Sequence, residues 1–286
     1  MDAGLDEDNA PCTATCDTTK VCVADLCCPP PTASGTFKLP THTNYVFWKF
    51  AARVAKLEFA IDFKNDPGSN VGLYFSPYNA EIDGIQFYFG IQTDLLNNNA
   101  GGKHEGHGII FSQFGTLDKA SINVAPGGFS EVGTHEGNFI GVRLPMPWTK
   151  GSYTLRLERG AGDDTGDWFE AHIVDAAKKD TFAGALKFAR KVKGVPATFQ
   201  EKGTAFTEVY SGATDYANVP KWRIDTMAYG DGVRAYTATS SYPNYPEYPG
   251  IPSFPNTDVA YNATTDRVEL RYGGDTAKCH LPGKLF

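Results

Sequence analysis

The chain has 286 residues, 41% of them hydrophobic and 13% aromatic, which is enough apolar surface to bury a sizeable core and excludes general disorder. Its 33 acidic against 26 basic residues give a net charge of -7, spread along the chain without a Lys/Arg cluster. That balance argues against nucleic acid and against an anionic membrane surface, both of which need concentrated positive charge.

No apolar run approaches the roughly 20 residues that span a bilayer as a helix. The stretch after Met1, DAGLDEDNAPC, is acidic where a signal peptide would be basic and then apolar. The expectation is therefore a mature chain whose export signal has been removed.

Residues 1–11 read as a loose acidic leader and residues 12–31 as a cysteine-rich module with a Pro29–Pro31 linker. Cys12, Cys16, Cys22, Cys27 and Cys28 lie within seventeen residues, with Cys279 far away. Dense cysteines in a short polar segment indicate an oxidising compartment, extracellular or at the cell surface. The odd local count leaves one cluster thiol, and the expectation is that it pairs with Cys279. Zinc is the lesser alternative, since paired CxxC spacing and a nearby histidine are missing.

The globular region is expected over 37–286. LEFAIDF (57–63) alternates apolar and polar residues with the period of a half-buried strand. Strands are also predicted at 70–76, 84–92, 106–114, 138–144, 152–159, 168–176, 221–229, 233–239 and 267–273. Residues 181–189 could be helical by Ala and Leu content, but the KKD turn before them favours a strand. About a dozen strands with frequent turn signals and no long amphipathic helix predict an all-β sandwich of jelly-roll, lectin-like type. The proline-rich segment SYPNYPEYPGIPSFP (241–255) is expected to run extended over the surface.

Several constellations could carry chemistry. His104 and His107 in KHEGHG, with His135, could converge on zinc or copper if a glycine-rich loop brings them together, although HEGH falls short of HExxH. Asp163, Asp164 and Asp167 fall in one turn between strands and could begin a calcium site, the leading metal expectation. Glycoside cleavage needs two carboxyl groups flanking a cleft; Glu131 with Glu136, and Glu81 with Asp83, are the candidate pairs. Glu81 and Asp83 share a face if that segment is extended. No GxSxG elbow, phosphate loop or dinucleotide fingerprint is present. Trp48, Tyr74, Tyr78, Trp148, Trp168, Trp222 and the proline-segment Tyr242, Tyr245 and Tyr248 offer flat faces suited to sugar rings. Of these, Trp48 and Trp222 read as core, and Tyr78, Trp148, Tyr242, Tyr245 and Tyr248 are the ligand-binding candidates. The sequon at Asn262 marks a surface turn.

The runs FYFGIQ, GIIFSQFGT, GGFSEVG and PWTKGSYTLRLE, in that order across residues 45–240, resemble the exported family known as domain of unknown function 3472. Matching positions are Gly90, Gln92, Phe111, Ser112, Gly115, Gly128, Phe129, Glu131, Gly133, Trp148 and Tyr153. The resemblance implies a secreted or surface β-sandwich associated with carbohydrate recognition, without catalytic roles. His135, Glu136 and the cysteine module depart from that pattern. The expected function is thus a secreted, non-catalytic glycan-binding or adhesion protein. The alternatives are a polysaccharide-degrading hydrolase or lyase working in a groove, and a surface protein that self-associates.

Overall fold

A computed structural model of the chain describes residues 13–243 and 253–286, and in these residues regular structure is almost entirely strand. β1 (Val21–Val23) and β2 (Leu26–Cys28) form the hairpin of the cysteine module. The sandwich begins with β3 (Thr41–Lys49), β4 (Lys56–Phe63), β5 (Gly72–Ile82) and β6 (Ile85–Gln92). A small flap, β7 (Leu96–Asn97) and β8 (Lys103–His104), precedes β9 (Gly108–Phe114). Then come β10 (Ile122–Val124), β11 (Phe129–Gly133), β12 (Phe139–Pro145), β13 (Gly151–Asp163), β14 (Gly166–Asp175) and β15 (Asp180–Phe188). The chain ends with β16 (Lys202–Ser211), β17 (Trp222–Gly230), β18 (Val233–Arg234), β19 (Thr237–Ser241), β20 (Thr257–Asn262), β21 (Arg267–Tyr272) and β22 (Gly283–Lys284).

Two nine-stranded antiparallel sheets face each other. One runs β11-β12-β9-β6-β5-β16-β3-β19-β22 and the other β10-β15-β14-β13-β4-β17-β21-β20, with β18 on the edge of β17. In β4 the predicted alternation is realised residue by residue: Leu57, Phe59, Ile61 and Phe63 point into the core and their neighbours outward. Phe59 meets Tyr78 from the opposite sheet at 5.8 Å, and Phe111 stacks on Phe188 at 6.0 Å. Each such ring, wholly withdrawn from water, contributes about 1.5–3 kcal/mol.

Residues 180–188 are strand, as the KKD turn predicts. The β5–β6 connection is a two-residue turn, Asp83–Gly84, with both residues left-handed (φ 50° and 93°), which matches the twist of the flanking strands. Asp83 therefore lies in a turn, so Glu81 and Asp83 do not share a strand face as an extended reading of 81–83 required. Residues 129–133, within the glycine-rich stretch, form the edge strand β11.

Cys28 is bonded to Cys279, the pairing of a cluster cysteine with the distant one, and Cys16 to Cys27. Cys22 is disulfide-bonded as well. Cys12, Tyr245 and Tyr248 lie outside the described residues. Past the prolines, Thr32 exchanges two hydrogen bonds with the wholly buried Asn256 (2.8 and 2.9 Å), and Phe37 stacks on Tyr216, so the module is anchored where the sandwich begins.

Candidate functional site

Most binding candidates chosen for ring size are structural. Trp148 and Tyr78 have no exposed surface, and Trp48 and Trp222 are equally buried. Trp148 stacks on Trp222 at 5.4 Å, while Tyr78 donates its hydroxyl to the Gln200 carbonyl at 2.7 Å. In this fold neither can offer a face to a ligand, because Tyr78 on β5 and Trp148 in the β12–β13 connection both fill close-packed space in the core. Tyr242 is half-buried: its hydroxyl donates to the His280 carbonyl (3.0 Å) and accepts from the Val259 amide (3.1 Å), and Lys278 Nζ sits 4.4 Å from its ring centre. It fastens the C-terminal segment. Trp168, half-buried on β14, lies under Lys187.

The histidines do not converge. His104 on the flap is paired with Asp94 at 2.6 Å, and His107 stacks on Trp148 with Nδ1 bonded to the Trp148 carbonyl. His135 stands edge-on to Phe139 in the β11–β12 turn. Asp163 and Asp164 do form the tip of the β13–β14 hairpin, but Asp167 turns inward, 3% exposed, where Arg190 grips both its oxygens (2.9 and 2.6 Å). Asp163 pairs with Lys187. Among the described residues the group of three whose donor atoms lie within 4.8 Å of one another is Glu158, Glu170 and His172, on the outer face of the β4 sheet. That group already engages Arg156 and Asp180.

Glu131 is tied to Arg143 at 2.7 Å and Asp83 to Arg53 at 2.6 Å, while Glu81 accepts from the Gln200 amide. Glu136 alone of the four lines a groove. This groove, about 760 Å³, crosses the outer face of the sheet that contains β6. Its walls are built from strands far apart in sequence. Phe114 of β9 contacts Tyr88 of β6 (5.2 Å), Tyr88 contacts Tyr74 of β5 (5.8 Å), Tyr74 contacts Phe206 of β16 (5.3 Å), and Phe206 stacks on His42 of β3 (4.3 Å).

These five strands are consecutive neighbours in the sheet. The rings therefore form a continuous ladder perpendicular to the strands, about 19 Å long at roughly 4.8 Å per inter-strand step. Tyr74, Leu95, Ile110 and Phe206 make a second apolar cluster here, separate from the main core, with Tyr45, Tyr88 and Tyr210 packed against it. The glycine at position 90 allows β5 and β6 to approach: a Cβ there would sit 2.1 Å from the Phe75 carbonyl oxygen.

Polar groups line the same surface. The Tyr88 hydroxyl donates to Glu136 at 3.2 Å, and His42 bridges Glu208 (3.3 Å) and the Tyr45 hydroxyl (2.6 Å). Asn79, Gln86 and Gln92 add amides. Tyr210 donates to the Asp94 carbonyl at 2.6 Å, joining the groove wall to the segment leading into the flap. Burial holds the phenols of Tyr74, Tyr88 and Tyr210 above their ordinary range, so at neutral pH all remain hydrogen-bonding hydroxyls. The Tyr74 hydroxyl is buried, with the Ser76 side chain beside it and no hydrogen bond of full geometry.

Of this set, sequence reasoning had singled out Tyr74, His135 and Glu136 but missed His42, Tyr88, Phe114, Phe206, Glu208 and Tyr210. The available signal was aromatic residues alternating with core residues on both faces of β6 and β16. No family model matches the chain, and no curated protein matches it either.

Proposed function

We propose that the protein is an exported, non-catalytic glycan-binding protein whose ligand lies in the groove on the outer face of the β6 sheet, along the Phe114–Tyr88–Tyr74–Phe206–His42 ladder. The observation that carries this reading is the ladder itself: five rings in unbroken contact across five strands, the partly exposed His42, Tyr88 and Phe114 linked by the buried Tyr74 and Phe206, bordered by amides and carboxylates. Sugar rings present apolar C–H faces and a hydroxyl rim. A surface of aromatic faces ringed by hydrogen-bonding groups complements both. The paired disulfides support export, and no helix among the described residues is long and apolar enough to cross a membrane. The resemblance to the domain of unknown function 3472 over residues 45–240 points the same way. A jelly-roll connectivity is part of this reading.

Calorimetry on hits from a glycan array tests it. Tyr88→Ala and Phe114→Ala are expected to weaken binding at least roughly tenfold, whereas Lys64→Ala on the opposite outer face leaves it unchanged. Equal affinities for all three variants would overturn the placement. Release of shorter oligosaccharides from a bound polymer would replace binding with cleavage, Glu136 and Glu208 being the two carboxylates in the groove.

A further inference from the structure

The groove's electrostatics narrow the ligand class, an inference that rests on the glycan-binding reading above. Two carboxylates, Glu136 and Glu208, line it, and no Lys or Arg does. Around Glu136 the structure places a neutral donor, the Tyr88 hydroxyl; around Glu208 it places His42. The nearby cation, Arg143 on β12, lies on the same outer face beside the groove, 6% exposed, with one nitrogen on Glu131 (2.7 Å) and another on the Ser112 hydroxyl (2.9 Å). Its charge is matched by Glu131, so it does not offset the two groove carboxylates. Asp94, at the edge, is paired with His104.

A second feature lies in the floor of the groove. Tyr74 is 3% exposed and lines the groove, and its hydroxyl, with the Ser76 side chain beside it, makes no hydrogen bond of full geometry. Other buried groups lack partners too, among them the Trp222 indole N–H and the Tyr272 hydroxyl, but those side chains belong to the main core. Tyr74 instead belongs to the outer cluster that floors the groove.

Electron-rich ring faces attract cations through the ring quadrupole, and carboxylates attract them directly. Polyuronates and sulfated glycans would bring like charge against Glu136 and Glu208 with no Lys or Arg in the groove to receive them; of its two imidazoles, His42 is already paired with Glu208, and His135 stands edge-on to Phe139. We infer that the groove selects a glycan carrying protonated amines, a polymer of amino sugars with free amino groups, in which the amines meet Glu136 and Glu208 and the sugar faces lie on the aromatic ladder.

The test uses the full chain and three oligosaccharides of equal length: a glucosamine oligomer, its fully N-acetylated counterpart, and a uronic acid oligomer, titrated calorimetrically at mildly acidic pH and at two salt concentrations. The glucosamine oligomer is expected to bind roughly tenfold tighter than the acetylated one, and the uronic acid oligomer weakest. Its advantage should shrink in high salt. Glu136→Gln, in the β11–β12 turn, is expected to reduce the preference for the glucosamine oligomer over the acetylated one several-fold. Glu208→Gln provides a second reading of the same preference. Equal or tighter binding of the acetylated or uronic acid oligomer overturns this inference and leaves glycan binding standing. Absence of binding by all three, with none on a glycan array, overturns both.

Discussion

Replacing Cys28 and Cys279 together by Ala removes a bridge that closes a loop of 251 residues. In the chain-entropy treatment, a cross-link of that span restricts the unfolded chain by about 5.5 kcal/mol, and measured bridges give somewhat less, so a loss of about 3–5 kcal/mol is expected. With an unfolding entropy of about 0.6 kcal/mol/K for a chain of this length, the midpoint should fall by about 5–8 °C. Differential scanning calorimetry of the oxidised protein measures it. The Cys16–Cys27 bridge spans only 11 residues within the module, outside the sandwich. Its removal should therefore move the main transition by less than about 2 °C. The reasoning fails if the Cys28→Ala/Cys279→Ala protein melts within about 1 °C of the parent, or if the short bridge proves the more important for the main transition.

Gly90→Ala would drive a Cβ to 2.1 Å from the Phe75 carbonyl and force β5 from β6, with an expected loss of about 3 kcal/mol in urea unfolding; an unchanged midpoint would show that the strands can part freely. Asp167→Asn weakens the buried grip of Arg190 while keeping an acceptor for the Ala197 amide, and should cost about 2 kcal/mol, a figure chemical denaturation can check. His280 is raised above the ordinary imidazole value of 6.5, chiefly by its hydrogen bond to Asp258. A raised folded-state value means its contribution is fully present below that ordinary value and is lost as pH rises through the folded one. Thermal midpoints should therefore drop as pH is taken upward from 6.5, and His280→Gln should flatten that portion of the profile; an identical profile would refute the assignment.

What the sequence made legible was whatever obeys a local rule. Leu57–Phe63 alternates cleanly because its outer face is polar, and residues 180–188 follow the KKD turn as a strand. The odd cysteine count called for a cluster partner for Cys279, and Cys28 supplies it. β3 and β16 were not picked out as strands for a physical reason. Phe206 and Tyr210 point outward while Ala205 and Val209 point inward, and Tyr45 and Phe47 flank the inward Val46 and Trp48. Apolar residues on both faces erase the period of two. The feature that builds the groove thus hides the strands that carry it. Trp148 and Tyr78 were misassigned for the converse reason, since a large ring makes as good a core residue as it does a platform.

The two outer faces of the sandwich differ in a way that stability alone does not require. On the β4 sheet, charge is matched within the face: Lys64 lies between Asp62 and Asp225, Arg156 reaches Glu158 and Asp180, and Arg271 is paired with Glu269. The β6 sheet instead keeps two carboxylates without Lys or Arg beside them in its groove, and a buried phenol with no hydrogen bond of full geometry. Leaving a buried hydroxyl unsatisfied costs about 1–3 kcal/mol, and Phe at position 74 would fill the same space without that cost. Tyr74→Phe is therefore expected to raise stability by about 1 kcal/mol, and the midpoint by about 2 °C, while weakening binding of the groove's glycan several-fold. Calorimetry of unfolding and of binding on the same preparation reads both. A stabilised protein with weakened binding identifies the hydroxyl as one kept for a ligand. If Tyr74→Phe destabilises the fold, the hydroxyl has a partner inside the protein, and the argument from it to a bound molecule falls.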